Sequence, residues 1–315
     1  MKAVLHYRAG PQFRERLEAW RAHGIDVAVI DETDTIGWRR ELHDADVLLH
    51  VLAPVTAAML DEAPRLRLIQ KIGVGVNTID RAAAAARGIV VANMPGSNSQ
   101  AVAELALALL LAVLRRVVDL DRATRAGIGW QLDPAEVERA GEIGGKTVGL
   151  IGYGEIPRRL APVFRALGAE VIYTRRSAGG DPAQCALPEL LARADIVSLH
   201  VPLDATTRHL LDRAALARLR PGAIILNTAR GELIDEAALT DALRSGHVRG
   251  AGLDVFATEP AKASPLFALP NVVLSPHLGW YTQETLARSL DIALENCRRI
   301  GAGEPLLHEV RTSPT

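Results

Sequence analysis

Short apolar runs typical of β-strands alternate with helical stretches along nearly all of this chain. Alternation of this kind predicts parallel sheets whose strands are joined by crossover helices. The runs form two series, and the second series opens at residue 147. The predicted strands are 3–7, 27–30, 47–50, 68–72 and 89–92, followed by 147–151, 170–173, 196–199, 223–227, 250–254 and 272–275. Two doubly wound α/β units are therefore the expected fold class.

The length of 315 residues suits two domains, each large enough to bury a core. The junctions are expected near Pro95 and Trp280. One domain is then residues 1–97 with 284–315, and the other is residues 98–283. Two chain crossovers make a hinge, so the cleft between the domains is the expected site.

Two helices are predicted beside these junctions. The Ala- and Leu-rich stretch 101–118 contains Glu104 and is cut short by Arg115, so it falls below the roughly 20 apolar residues that a membrane span needs. It is predicted to be a long buried helix. The last helix, 283–300, has no obvious place in the second sheet and is expected to return to the first domain. Candidate N-caps for the long helix are Ser97, Asn98 and Ser99.

Charge and cysteine content argue against several classes of function. The formal net charge is -1 at pH 7 and no basic run is present, so nucleic-acid binding is not expected. Cys185 and Cys297 stand in no metal-ligand spacing and indicate a reducing compartment, so a cytoplasmic location is expected. The nine histidines show no metal spacing either. The chain starts with a strand-like run rather than a signal peptide.

A glycine turn, Gly152-Tyr153-Gly154, directly follows the predicted strand 147–151 and precedes helix-like residues. In that setting the first glycine permits a tight turn. The second lets a pyrophosphate approach the backbone at the positive end of the helix. The sequence therefore predicts a dinucleotide site here, and an ordinary βα turn is the alternative.

Proline replaces the third glycine of the dinucleotide fingerprint, at Pro157. Proline is tolerated in a first helical turn, where its missing N–H would be unpaired anyway. It disfavours helical geometry at the preceding residue, so the helix is predicted to begin late, after Ile156.

The choice of cofactor is predicted from the end of the next strand. A site for NAD places a carboxylate about 20 residues past the turn, where it holds the ribose 2′-hydroxyl. Here that region contains Arg175, Arg176 and Ser177 and no acid. Guanidinium groups suit a 2′-phosphate, so NADP(H) is predicted, with NAD(H) as the lesser possibility. Two solvated surface arginines are the alternative interpretation.

Three polar residues each follow a strand-like run and together indicate acid/base chemistry on an anionic substrate. His277 suits a general acid or base, because a free histidine titrates near pH 6.5. Glu259 is placed to orient the His277 ring and stabilise its charged form. Arg230 offers a two-pronged donor for a substrate carboxylate and for polarising the neighbouring carbonyl. Taken singly, each residue also has a structural interpretation: a strand-end histidine, a turn-capping glutamate and a surface arginine.

From about Leu48 to Pro305 the chain resembles the D-isomer-specific 2-hydroxyacid dehydrogenase family. The stretches that carry this resemblance are 71–80, 93–96, 101–104, the glycine turn, 227–231, 254–260 and 275–279. The family has a flavodoxin-like substrate domain and a Rossmann nucleotide domain, and the resemblance implies this arrangement here.

The resemblance also implies roles for individual residues. Arg230, Glu259 and His277 match the family's Arg, Glu and His. Backbone N–H groups around Val74 and Gly75 are expected to bind the substrate carboxylate. The long helix after Pro95 is expected to build a homodimer. Positions that match cofactor-contacting ones in the family are Glu155, Ile156, Val201, Pro202, Thr207, Thr228, Ala229, Asp254 and Gly279, with Asp254 at the nicotinamide amide.

Two departures from the family pattern and one further feature matter here. Pro157 replaces a family glycine. Arg175 stands where NAD-preferring members carry aspartate, which resembles the NADPH-linked glyoxylate and hydroxypyruvate reductases. Formate dehydrogenase relatives pair the histidine with glutamine, so Glu259 argues against that branch.

The leading hypothesis is an NADPH-dependent 2-keto acid reductase, with glyoxylate or hydroxypyruvate as the first substrates to try. A phosphoglycerate dehydrogenase is the nearest rival, although it would want extra cations for a phosphate and only Lys71 is well placed. From another class, a nucleotide-sensing binding protein like the related transcriptional corepressors stays open.

Four further residues have roles that the sequence leaves open. Trp280 either covers the substrate or packs the hinge. Trp130 lies in a loop and could reach a neighbour's active site in a dimer. Lys71 either adds charge to the carboxylate site or, as expected here, extends to solvent. His200 is expected to line the cofactor cleft passively.

Overall fold

The computed structural model describes residues 1–177 and 179–311. Its strands are β1 Lys2–His6, β2 Asp26–Ile30, β3 Val47–His50, β4 Leu68–Lys71, β5 Val90–Ala92, β6 Thr147–Ile151, β7 Glu170–Thr174, β8 Ile196–Leu199, β9 Ala223–Asn227, β10 Val248–Leu253 and β11 Val272–Leu274. Its α-helices are α1 Pro11–Glu18, α2 Thr35–His43, α3 Ala57–Asp61, α4 Arg81–Ala86, α5 Ser99–Arg115, α6 Val117–Arg125, α7 Pro134–Val137, α8 Glu155–Ala166, α9 Leu187–Arg193, α10 Arg213–Ala217, α11 Glu236–Arg244 and α12 Gln283–Ala302. Each predicted strand is present, with ends within two residues of the prediction.

The chain forms two compact units. The first contains Met1–Asn98 and the segment from Tyr281 onward, and the second is Ser99–Trp280. The α12 helix packs on β4 of the first unit. There the Asn296 side-chain amide donates to Gln70 Oε1 at 2.6 Å and to the Leu307 carbonyl at 3.0 Å.

The first unit is built on a five-stranded parallel sheet in the order β2-β1-β3-β4-β5. Its strands are short and almost entirely buried from β3 onward, as expected when helices cover both faces. His6, His50 and Lys71 are register partners across β1, β3 and β4, so they form a row at the carboxyl edge.

The second unit is built on a six-stranded parallel sheet in the order β11-β10-β9-β8-β6-β7. Apolar cores lie on both of its faces, one including Ile225 and Leu253 and the other including Leu150 and Phe164. Two doubly wound α/β units are thus present, and the predicted fold class is confirmed.

The predicted long helix ends earlier than expected. The α5 helix stops at Arg115 because Arg116 adopts a left-handed conformation, φ 53°. The Arg116 guanidinium then lies 2.8 Å from a carboxylate oxygen of Glu136. After this break, α6 has no buried residue. None of the helices in the described ranges is both long and apolar enough to cross a membrane.

The prediction that the nucleotide-domain helix starts late is wrong. The α8 helix begins at Glu155, directly after its N-cap Gly154, and includes Ile156 and Pro157. A proline at the third helical position removes an N–H that has no partner within the helix, so helical geometry at Ile156 is retained at little cost. A second proline, Pro162, lies inside the same helix.

Candidate active site

Three neighbouring strands of the second unit bring Arg230, Glu259 and His277 to one edge of the sheet. Asn227, Leu253 and Leu274, near the ends of β9, β10 and β11, are register partners. Each predicted catalytic residue lies in the loop that leaves one of these carboxyl ends. Ligands of open α/β sheets bind at this edge.

His277 and Glu259 form a close pair. The His277 Nδ1 atom lies 2.6 Å from Glu259 Oε2, and the Phe256 N–H donates to Glu259 Oε1 at 2.9 Å. Burial alone would raise the pKa of Glu259, but the hydrogen bond and charge of His277, with smaller contributions from the Phe256 N–H and Arg230, lower it below its usual range. Glu259 is thus a carboxylate that holds the ring of His277 by Nδ1.

Arg230 lies beside this pair in a half-buried position. Burial lowers the pKa of its guanidinium, while the charges of Glu259 and Glu232 act in the opposite direction. The Arg230 turn is seated directly on the Glu259 loop, because a Cβ on Gly231 would come within 1.9 Å of the Phe256 carbonyl carbon. Only glycine permits this approach, so the two loops are packed backbone to backbone.

Two buried polar side chains shape these loops. Asn227 accepts a hydrogen bond from the Ala229 N–H at 3.0 Å and donates to the Arg230 carbonyl at 2.8 Å. Asp254 accepts from the N–H groups of Leu278 and Gly279 at 3.0 and 2.9 Å. Asp254 therefore anchors the loop that carries His277. Its expected contact with the nicotinamide amide stays a prediction.

Neither anchoring role followed from the sequence. Asn227 directly ends a buried strand, and a polar residue at that position was the only signal that could have identified it.

His277 itself has a left-handed backbone, φ 57°, a region that histidine visits more often than most residues. Its N–H donates to the Asp254 carbonyl at 2.7 Å, which fixes the start of the loop.

The glycine turn joins β6 to α8 in three residues. Gly152 has φ 96°, and a Cβ there would lie 2.5 Å from the His200 carbonyl oxygen. The space where a Cβ of Gly154 would lie is empty within 4 Å. Packing therefore requires glycine at 152 but not at 154, and the open side of Gly154 at the start of α8 fits an approaching pyrophosphate.

Most of the predicted cofactor side chains near this turn are engaged in packing or capping. The Tyr153 ring stacks on Tyr173, with centroids 3.8 Å apart. A Cβ on Gly152 would lie 3.0 Å from Val201, so Val201 packs on the turn. The Thr207 hydroxyl donates to the Pro202 carbonyl at 2.7 Å and accepts from the Asp204 N–H at 2.8 Å.

One predicted cofactor residue has an orphaned polar atom. The Thr228 hydroxyl is buried and has no hydrogen-bond partner among the described residues. A buried hydroxyl without a partner is costly, so a donor or acceptor from a bound ligand would be favourable there. Thr228 and Ala229 follow β9, and Gly279 follows β11, so all three lie at the same sheet edge as His277.

The two arginines after β7 differ in their contacts. Arg175 donates from Nε to the Ser177 carbonyl at 3.0 Å. Arg176 donates from Nη2 to Asp204 Oδ2 at 2.6 Å and to the Thr206 hydroxyl at 3.0 Å. The Thr206 and Arg176 hydrogen bonds hold the pKa of Asp204 well below its usual range. Arg176 is therefore partly neutralised, which makes Arg175 the stronger candidate for a phosphate.

The predicted carboxylate turn lies in the first unit, after β4. The Gly73 and Val74 carbonyls accept hydrogen bonds at 2.9 Å from the Met94 N–H and the Asn93 side chain. The N–H groups of Val74 and Gly75 donate to no other group of residues 1–177 and 179–311. Consecutive backbone N–H groups of this kind make a concave anion site.

The expectation that Lys71 extends to solvent is wrong. Lys71 is 7% exposed, and its Nζ donates to the Val51 carbonyl.

Trp280 is likewise buried, at 7% exposure. Burial lowers the pKa of His200 to about 3, and its Nε2 lies 2.8 Å from the Ser198 hydroxyl. No group of three or more potential metal ligands occurs among the residues that the structure describes.

Comparison with known proteins identifies the family. Residues 107–279 match the model described as the D-isomer specific 2-hydroxyacid dehydrogenase, NAD binding domain. A D-3-phosphoglycerate dehydrogenase from Mycobacterium leprae is 44% identical over 287 residues, which cover 89% of this chain and 54% of that protein. The chain thus spans about half the length of that relative.

Two further proteins are covered along most of their lengths. A glyoxylate reductase from Thermococcus litoralis is 37% identical over 277 residues, covering 84% of this chain and 83% of that protein. The solved structure of an acyclic imino acid reductase in complex with NADPH and D-Arg is 31% identical, with a TM-score of 0.85, and covers 99% of this chain and 100% of that one. The resemblance predicted from the motifs is therefore confirmed, and this chain belongs to the D-isomer specific 2-hydroxyacid dehydrogenase family.

Proposed function

We propose that this protein transfers a hydride between NADP(H) and a small 2-keto or 2-hydroxy acid, with His277 as the general acid and base. The observation that carries the proposal is the 2.6 Å contact between His277 Nδ1 and Glu259 Oε2 beside Arg230. A histidine oriented by a carboxylate and placed next to a cation suits proton transfer on an anionic carbonyl compound.

His277 and Glu259 have different roles in the proposed reaction. When bound, the reduced nicotinamide supplies the hydride that C2 of a keto acid receives. His277 donates a proton from Nε2 to the carbonyl oxygen during reduction, and neutral His277 accepts it in the reverse direction. Glu259 stabilises the charged ring, because it stays ionised throughout the physiological range.

Arg230 binds the substrate carboxylate and polarises the adjacent carbonyl. Its guanidinium is suited to both roles, since it offers several donors in one plane and keeps its charge when half-buried. The two loops carrying Arg230 and Glu259 touch through Gly231 and Phe256, so the arginine and the histidine–glutamate pair are held in a fixed arrangement.

NADP(H) is the proposed cofactor. The support is Arg175 at the end of β7, where an NAD site would have a carboxylate, and a relative whose structure holds NADPH. The glycine turn and the first turn of α8 would hold the pyrophosphate through backbone N–H groups. The roles of Arg176, Pro202, Thr207 and Asp254 at the cofactor stay predictions.

Glyoxylate and hydroxypyruvate are the proposed first substrates. Val51 and Leu52 in the loop after β3 are apolar, and Lys71 is the cation near the carboxylate turn. A phosphoglycerate dehydrogenase is the second candidate, and the 44% identity to such an enzyme favours it. A corepressor-like nucleotide sensor would bind the cofactor without turnover.

A homodimer is proposed from exposed apolar side chains in the second unit. They lie on and just after α6, where no helix residue is buried. Side chains of this kind over a limited area mark association surfaces. The exposed set is Val117, Leu120, Ile128, Trp130 and Val137. Light scattering on the wild type and on Leu120→Asp tests this: the wild type should be dimeric and the variant monomeric.

A cytoplasmic location stays the prediction made from the cysteines.

The test of function is oxidation of NADPH and NADH by the purified protein with a panel of 2-keto acids. The panel includes glyoxylate, hydroxypyruvate and its 3-phosphate. Turnover with NADPH on the unphosphorylated acids supports the proposal. Turnover confined to the phosphorylated acid selects the second candidate. Cofactor binding without turnover on any member selects the sensor.

A further inference from the structure

One carboxylate holds both ends of the loop that carries Glu259. This glutamate loop, residues 257–264, follows β10 and is mostly exposed. Glu236 Oε2 accepts a hydrogen bond from the Ala257 N–H at 3.2 Å, and Glu236 Oε1 accepts one from the Ser264 hydroxyl at 2.5 Å. The side chain of Glu236 therefore joins the first residue of the loop to the last.

Few other hydrogen bonds restrain the glutamate loop. Between its two ends, the backbone N–H groups of residues 258–263 donate to no group in the described ranges 1–177 and 179–311. Glu259 itself accepts from the Phe256 N–H, just before the loop, and contacts His277. An exposed loop with so few bonds of its own depends on its end points for its position.

Glu236 itself lies on a firmly packed helix of the second unit. It is the first residue of α11 and follows the N-cap Asp235, whose side chain accepts from the Ala238 N–H at 3.0 Å. The inner face of α11, which includes Ala238 and Leu239, packs into an apolar core of this unit. A carboxylate on such a helix can fix a loop, because the helix does not move with the loop.

The same stretch of chain also carries Arg230. Glu236 follows Arg230 by six residues, after a short 3₁₀ helix. Gly231 brings the start of this stretch against the backbone at Ala257, where a Cβ would not fit. The stretch from Arg230 to Glu236 thus contacts the glutamate loop by backbone packing at its start and through a carboxylate at its end. The arginine and the glutamate loop are therefore held by one piece of structure.

We propose that Glu236 is a positioning residue for proton transfer: by holding the glutamate loop at both ends, it keeps the Glu259 carboxylate against Nδ1 of His277. The inference rests on the proposed function and adds to it one residue that acts through Glu259. Glu259 is ionised and a carboxylate only accepts hydrogen bonds, so the 2.6 Å contact places a proton on Nδ1 of the His277 ring. A displaced Glu259 would no longer favour that tautomer.

Glu236→Ala removes both hydrogen bonds, whereas Glu236→Gln keeps an acceptor for the Ala257 N–H and a hydrogen-bonding group for Ser264. We expect Glu236→Ala to lower kcat by about 10- to 100-fold, because a small misplacement of the acid/base pair is costly, with KM for 2-keto acids and the Kd for NADPH changed by less than about threefold. Glu236→Gln should recover most of the loss. A kcat close to that of the wild type in Glu236→Ala, or an equal loss in Glu236→Gln, would overturn the proposal.

Glu189→Ala is the matched control. Glu189 also lies in the first turn of a helix of the second unit, α9, and its carboxylate pairs with Arg193 of the same helix at 2.8 Å. The substitution removes the same charge from a pair within one helix, so kcat should stay unchanged. Ser264→Ala removes one of the two hydrogen bonds of Glu236 and should lower kcat by a smaller factor than Glu236→Ala. If Glu236→Ala fails to fold, an unchanged kcat in Ser264→Ala overturns the proposal.

The tautomer of His277 separates this inference from the proposed function. The ring nitrogens are followed by NMR in isotope-labelled protein at a pH where the ring is neutral. We expect the proton on Nδ1 in the wild type, Glu189→Ala and Glu236→Gln, and a shift toward the Nε2 tautomer in Glu236→Ala. That result supports the positioning role even if no 2-keto acid turns over. The same tautomer in Glu236→Ala as in the wild type overturns it, even if the wild type is an active reductase.

Discussion

The two units share a strand order and differ in what stands at the carboxyl edge. Both sheets begin in the order second-first-third-fourth-fifth, and the second unit adds one strand. In the second unit a three-residue glycine turn leads into the 12-residue α8. In the first unit four residues, Tyr7–Gly10, lead into the eight-residue α1, which begins at Pro11. Topology thus offers two sites, and side chains decide which of them takes a dinucleotide.

The polar residues at the carboxyl edges of the two sheets also differ. The second unit places an arginine, a glutamate and a histidine on successive loops, with the histidine partly exposed. The first unit places a buried lysine between its strands and a turn of free N–H groups. We propose that the edge of the second unit moves a proton, whereas the edge of the first unit presents backbone N–H groups.

Removing the acid/base residue of the second unit should give the largest effect. We expect His277→Ala to lower kcat/KM for the best 2-keto acid by about 10²- to 10⁴-fold, because the proton donor is lost. His43→Ala, an exposed histidine of the first unit, is the control and should match the wild type. Equal activity in the two variants would contradict the acid/base assignment.

The turn after β6 in the second unit and the turn after β1 in the first unit can be compared by substituting one glycine in each. Neither Gly154 nor Gly10 has an atom within 4 Å of an added Cβ, and both have a negative φ. We expect Gly154→Ala to raise the Kd for NADPH by about tenfold or more without lowering the melting temperature, because the methyl group occupies the space for the pyrophosphate. Gly10→Ala should change neither quantity.

The next largest expected effect is a change in the preference for NADPH over NADH. We expect Arg175→Asp to shift the ratio of kcat/KM for NADPH over NADH by about 10- to 100-fold toward NADH, since a carboxylate repels the 2′-phosphate and accepts from a 2′-hydroxyl. Arg176→Ala should have a smaller effect, because Asp204 already pairs with that guanidinium. A larger effect at Arg176 would reverse the assignment.

The smallest expected effect concerns stability. The pKa of Glu259 is lowered in the folded protein, so its ionised form stabilises the fold above the ordinary value of 4.5. That contribution is lost as pH falls through the depressed folded value. Glu259→Gln should therefore lower the melting temperature by roughly 1–3 °C at pH 7, with the gap narrowing below about pH 4.5. A gap that does not vary with pH would contradict this account.

The sequence predicted the strands well because each is a short apolar run bounded by turn residues. It predicted the fold class for the same reason, because the length of the apolar runs and their spacing along the chain are local signals. The break at Arg116 was missed because the left-handed conformation of Arg116, which accompanies a pairing with Glu136 20 residues away, has no local sequence signal. The start of α8 was missed because the cost of a proline depends on its exact helical position.

Residue types at strand ends were enough to predict the Arg230–Glu259–His277 set, whereas the loop anchors were not predictable. Asp254 and Asn227 act through backbone atoms of loops whose course the sequence does not specify. The burial of Lys71 depends on β3 lying beside β4, which is a long-range pairing. Local pattern therefore predicted which side chains lie at this edge of the sheet, and tertiary packing decided which groups hold their loops in place.

Following the hydride itself tests the central claim most directly. The protein is mixed with NADPH carrying deuterium at C4 and with the best 2-keto acid, and the product is analysed by mass spectrometry. Deuterium at C2 of the hydroxy acid, formed far more slowly by His277→Ala, is the predicted result. Oxidation of the cofactor with no deuterium in the product, or equal rates in the two proteins, would contradict it.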